Sequence, residues 1–410
     1  MALTRRKFLG QTAGVVSLSA GLPGLWQSAA AMNSEDRGEN ILVVVQLSGG
    51  NDGLNTIVPF KNSDYRKARP TLGIPAADVL KIDDELGFHP SMTGFSELLE
   101  AGHLSVLQGI GYPDPNRSHF ESMDIWHSCR RKTERRESGW LGRFLDASET
   151  TGGDAPAIHL GEEKQPLALA ADRSRSPSIR SLDRFRLQEG QAKELATTIS
   201  ELAAAERLPD QDLLSFVQSS TTTALSASRR VEQAVKNYKT EIAYPENRLG
   251  EKLKVVAQLI DSGLHTRIYY VALDGFDTHS QQPDAHANLL KEFSSAVAAF
   301  LRDMSAHGHG QRVLVMGFSE FGRRVAENAS DGTDHGAAGP MFLAGERVNA
   351  GLIGAHPSLA DLQEGDLKHH TDFRQVYAAV LEHWFDWKSE PILGGRYQPV
   401  AAITKSAGVS

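Results

Sequence analysis

The stretch Arg312-Val-Leu-Val-Met-Gly-Phe-Ser-Glu-Phe-Gly-Arg-Arg324, followed by Gly332-Thr-Asp-His-Gly-Ala-Ala-Gly-Pro340, sets the frame for the whole chain. Val313 to Met316 is an unbroken apolar run, the pattern of a central parallel strand covered on both faces. The run ends at Gly317 and presents Ser319 and Glu320. Open α/β sheets bind ligands just beyond the carboxyl ends of their strands, and Glu320 falls there. Asp334 and His335 follow on a loop short enough to fold back over it.

Three more runs read the same way. Ile41 to Leu47 ends in Ser48-Gly-Gly-Asn-Asp-Gly-Leu-Asn55, His103 to Gln108 ends in a proline-held loop reaching Ser118 and His119, and Arg267 to Leu273 ends in Asp274-Gly-Phe-Asp-Thr-His279. Apolar residues at helical spacing between them predict helices over 91–102, 250–262 and 286–306, and another from Thr371 through Trp384. Strand–helix alternation implies an α/β fold: a mostly parallel central sheet with helices on both faces. A helical insertion is expected over about 185–245, where helix formers dominate and aromatics are few.

Parallel strands share one carboxyl rim. Asp52, Ser118, His119, Asp277, His279 and Glu320 should therefore meet there, within reach of Asp334 and His335. Carboxylates and neutral imidazoles together suit a divalent metal such as zinc, manganese or calcium; each histidine could equally be held by hydrogen bonds beside a buried acid. Ser118 at a helix N-terminus sits in a positive backbone field, which suits a nucleophile, and serine is also a favoured N-cap. Arg117, Arg323 and Arg374 are candidates to hold an anionic substrate, with Asn51 and His119 beside them.

Composition narrows the partners. The 410 residues carry a formal net charge of -8, which argues against nucleic acid. A single cysteine, Cys129, leaves no disulfide framework and no thiolate cluster. Thr4-Arg5-Arg6-Lys7-Phe8-Leu9 reads as a twin-arginine export signal, with cleavage expected near Ser28-Ala29-Ala30-Ala31. The expected organisation is a signal peptide over 1–31, a linker over 32–40 and one α/β domain over 41–405. The twin-arginine translocase is the expected partner during export, the destination is the periplasm or the exterior, and no stable membrane span should remain after cleavage.

Gln46-Leu-Ser-Gly-Gly-Asn-Asp-Gly-Leu-Asn55, Pro115-Asn-Arg-Ser-His-Phe120, Leu273-Asp-Gly-Phe-Asp-Thr-His279, Phe318-Ser-Glu-Phe-Gly-Arg323, Thr333-Asp-His-Gly336 and Thr371-Asp-Phe-Arg374 together resemble the family called domain of unknown function 1501. The resemblance runs from about Ile41 to Pro399. That family in turn resembles the alkaline-phosphatase-like superfamily of metal-dependent phosphatases, sulfatases and phosphomutases. The resemblance implies Asp52 as the first-strand acid, Ser118 as nucleophile, and Asp277, His279, Glu320 and His335 as metal ligands, with Asp334 able to join them. Glu320-Phe321 stands where the superfamily has an Asp-His pair, and the sulfatase nucleophile pattern is absent around Cys129 and Ser118. The implied function is a metal-dependent hydrolase of phosphate or sulfate esters, on a small-molecule or polysaccharide substrate. The alternative is a non-catalytic periplasmic binding or assembly protein on the same fold.

Overall fold

The computed structural model describes residues 39–148, 154–179 and 238–405. The expected signal peptide, most of the linker and the insertion up to residue 237 lie outside the described residues.

The central strand is β1 (Ile41–Ser48). Its apolar residues alternate between two cores, Val43 and Val45 on one face and Leu42 and Val44 on the other. The remaining strands of its sheet are β2 (Leu104–Gly111), β3 (Ala157–Leu160), β4 (Ser178–Ile179), β5 (Ile268–Asp274), β6 (Val313–Phe318), β7 (Gly339–Ala344), β8 (Gly351–Ile353) and β9 (Thr371–Asp372). The order is β8-β2-β7-β6-β1-β5-β3-β4, with β9 pairing the end of β2. β1 pairs in parallel with β5 and β6. β7 is antiparallel to both its neighbours; the other strands run one way, so their carboxyl ends share a rim.

Helices cover both faces, as the alternation predicts. On one lie α1 (Thr93–Glu100), α4 (Arg248–Asp261) and α5 (Gln282–Ala306), which bury Phe95, Leu253, Val256, Phe293 and Val297. On the other lie α2 (His119–Ser128), α3 (Trp140–Ala147) and α6 (Phe373–Ala379), which bury Trp126, Trp140, Phe144 and Phe373. Burying one such side chain contributes roughly 2 kcal/mol, so a sheet covered on both faces is the stable arrangement for these sequences. Close approach matters where α1 meets α5. A Cβ on Gly94 would lie 2.5 Å from the Ser294 carbonyl oxygen.

Several boundaries differ from expectation. α5 begins four residues early, because Pro283 is accepted in the first turn. α6 is capped by Asp372 rather than Thr371, with Gln375 completing a capping box. It passes at Val380 into a π-helical turn that ends at Trp384. Residues 238–247 are not helical. They are tied to α5 by buried Asp303, whose carboxylate accepts from the Tyr244 hydroxyl at 2.7 Å and from Thr240 at 2.5 Å.

Candidate metal centre

Three loops at the carboxyl rim are drawn together by Arg323. Its guanidinium is wholly buried. It donates to the carbonyls of Gly50 at 2.7 Å, Thr333 at 2.8 Å and Phe276 at 2.9 Å, to that of Gly49, and to Asp277 Oδ1 at 2.7 Å. These five contacts join the turns after β1, β5 and β6. Gly49 is required here: its φ is +120°, and a Cβ would lie 2.3 Å from the Asp277 nitrogen.

Asp277 Oδ1 is the centre of the arrangement. His335 Nε2 lies 3.1 Å away, His279 Nε2 3.1 Å and His119 Nε2 3.4 Å. His279 Nε2 and His335 Nε2 are 2.9 Å apart. Donor atoms bound to one tetrahedral zinc at about 2.0–2.1 Å lie about 3.3 Å from each other, so these spacings match the edges of one coordination shell. His119, Asp277 and His335 can offer three ligand atoms within 4.8 Å of one another.

The opposite ring nitrogens fix the tautomers. His335 Nδ1 lies 2.7 Å from the Arg117 carbonyl, His119 Nδ1 2.8 Å from Glu320 Oε1, and His279 Nδ1 3.3 Å from Asp334 Oδ1. Carbonyls and carboxylates accept, so in each ring Nδ1 donates. In the neutral form a ring so held turns a bare Nε2 lone pair toward Asp277, and His119 Nε2 is buried without a hydrogen-bond partner. Lone pairs and a carboxylate converging on one point repel unless a proton or a metal cation lies between them. Outward partners of this kind are what orient histidines that ligate metal. The donor set therefore fits a divalent ion.

Burial pushes the Asp277 carboxyl up, but the Arg323 guanidinium beside it outweighs burial and brings it down to about 2. The Glu320 hydrogen bond raises His119 above the ordinary histidine range, against the opposing effect of burial. Phe321 closes one side of the cluster, its ring centroid 4.9 Å from those of both His119 and His335.

The structure thus brings together Asp277, His279 and His335, as the topology required, and adds His119, which was assigned to substrate. Its signal was present: it directly follows Ser118 at the first turn of α2. Glu320 and Asp334, expected as ligands, instead face the outward Nδ1 atoms of His119 and His279. Glu320 is buried, and its Oε1 already accepts from Gly49 N and His119. Asp334 accepts from His279 and Asn328.

Asp52 is not brought into the cluster. It is buried, and Arg69 grips both its oxygens at 2.6 and 3.1 Å while Gln282 donates to Oδ2 at 2.6 Å. Burial would raise its carboxyl, yet Arg69 holds it below the usual range. Asn51 is buried as well. It is 2% exposed, and its Oδ1 lies 2.9 Å from His286 Nε2 and accepts from Thr56. None of the three arginines expected at an anion is free. Arg117 pairs with Asp366 at 2.6 Å, Arg374 with Asp372 at 2.6 Å, and Arg323 is committed as above. Ser118 is exposed at the N-terminus of α2 and its side chain makes no capping hydrogen bond.

The protein-family model described as "Protein of unknown function (DUF1501)" matches residues 39–386, and the chain belongs to that family. No curated protein matches the sequence. Among solved structures, it is similar to the PsFucS1 sulfatase from Pseudoalteromonas sp., with 12% identity and a TM-score of 0.39 over 91% of this chain and 72% of that one. It is also similar to a protein in the alkaline phosphatase superfamily from Vibrio parahaemolyticus, with 8% identity and a TM-score of 0.37 over 86% and 70%. A third is the C-terminal periplasmic domain of EcEptC from Escherichia coli in complex with Zn, with 9% identity and a TM-score of 0.32 over 76% and 75%. No helix among the described residues is long and apolar enough to cross a membrane.

Proposed function

We propose that this chain is a divalent-metal-dependent hydrolase of phosphate or sulfate esters, exported through the twin-arginine translocase to act in the periplasm or outside the cell. The observation that carries the reading is the convergence of three imidazole Nε2 atoms on Asp277, each ring held from behind by an acceptor-only partner. His119, Asp277, His279 and His335 would hold the ion. Zinc fits this nitrogen-rich set best. The ion would supply Lewis-acid polarisation of an ester oxygen, a role the engaged arginines leave open. Ser118 would attack, its hydroxyl uncommitted at the start of the helix that carries His119.

The test is turnover of 4-nitrophenyl phosphate and 4-nitrophenyl sulfate by the metal-loaded protein and by Ser118→Ala. Turnover lost with metal retained supports the serine; turnover retained assigns attack to water. No turnover of any ester by fully loaded protein favours the second reading, a non-catalytic binding or assembly protein. One observation points that way. Phe321 packs against His119 and His335 where the resemblance would place an imidazole, so the described residues assemble donors around one point rather than two.

A further inference from the structure

A cleft of about 630 Å³ opens beside His119 and Glu320, between α2 and the segment 163–170 that follows β3. The size is that of a site for a small organic ligand. Two polar lining residues, Gln46 and His127, are held from behind by buried Tyr270, whose hydroxyl donates to Gln46 Oε1 at 2.5 Å and lies 2.9 Å from His127 Nε2.

The charges on its walls are mostly acidic, but not all are available. Glu320 is committed to His119, and Glu163 lies 3.2 Å from His159 Nε2 and 3.8 Å from Lys252. Asp124 has one loose contact, 3.7 Å from Arg136, which is itself paired with Glu121. Asp274, at the carboxyl end of β5, is exposed and has no hydrogen bond or ion pair among the described residues. Lys164 is the single lysine or arginine on the lining, which also holds His119 and His127. At the mouth stands Phe120, 87% exposed, the only large apolar side chain so exposed among the described residues. An aromatic face in water beside uncommitted carboxylates is the pairing that attracts an organic cation.

We propose that this cleft holds the alcohol portion of the ester, and that this portion carries an amine, as in an amino sugar or amino alcohol. Its assignment to the alcohol side rests on the hydrolase reading; its preference for a cation does not. Phe120 offers a ring face to the ammonium group and Asp274 its carboxylate. A polyanionic chain is disfavoured, because its charges would face Asp124 and Asp274.

The test is a ligand-observed NMR titration of the metal-loaded protein at pH 6 and low salt, comparing glucosamine with N-acetylglucosamine. Acetylation removes the charge on nitrogen and adds a small amide, so glucose serves beside them as a neutral sugar without the acetyl group. Glucosamine should bind more tightly by roughly three- to tenfold. Asp274→Asn and Phe120→Ala should each reduce that preference with metal content unchanged, and added salt should shrink it. Equal binding, tighter binding of the N-acetyl sugar, or binding of neither overturns the inference. Metal content measured on the same samples separates this outcome from failure of the metal centre. A loaded protein without the preference refutes only the cleft.

Discussion

Glu320 Oε1 accepts from His119 Nδ1 at 2.8 Å, and this bond turns His119 Nε2 toward Asp277 Oδ1, 3.4 Å away. The two residues lie 201 positions apart in the chain, joined because β6 and the β2–α2 connection end on the same rim.

Glu320→Gln should therefore weaken metal binding without emptying the coordination shell. The amide can present its nitrogen to His119 and no longer enforces the tautomer. A loss of about 10- to 100-fold in affinity is expected, read by competition with a chelator of known strength. Unchanged affinity would mean that His119 is not a ligand.

Asp52 has a different task. Removing it leaves Arg69 charged, buried and unpaired, which should cost about 3–5 kcal/mol. Asp52→Ala should thus lower Tm strongly, while the folded fraction keeps its metal. Metal lost at full stability would restore Asp52 to the centre.

The buried histidines make the fold acid-sensitive. His286 is wholly buried and His89 largely so, and burial lowers each from 6.5 to about 4. Between those values the unfolded chain takes up protons that the folded chain refuses. Stability is therefore complete above about pH 6.5 and falls as pH drops toward 4, by on the order of 3 kcal/mol per histidine. Denaturant midpoints measured from pH 7 to pH 4 on metal-free protein test this. His286→Asn should flatten the slope.

What could be read from the chain follows from the physics of each signal. Apolar runs such as Ile41 to Leu47 and Val313 to Phe318 mark buried parallel strands, and parallel topology places their ends together, so Asp277, His279 and His335 were legible as one group. β7 was not, since Met341 to Ala344 is short and antiparallel strands need no crossover helix to announce them. The division of labour among the acids was also hidden. Asp52 meets Arg69 and Gln282, and Glu320 meets His119, through contacts that no local spacing encodes. Arg323 looked like an anion binder because the sequence does not reveal that four carbonyls and Asp277 surround it. The capping of α6 turned on one residue, Asp372 in place of Thr371, because the carboxylate could reach the Arg374 nitrogen at 2.9 Å.

The most direct test of the metal centre is elemental analysis of the mature protein, purified without chelator, beside His119→Ala and His335→Ala. About one equivalent of a divalent ion, zinc foremost, is expected in the parent and a small fraction of that in each variant, with the variants still folded by circular dichroism. A parent that binds no divalent ion, even after incubation with zinc or manganese, would contradict the reading of His119, Asp277, His279 and His335 as a coordination shell.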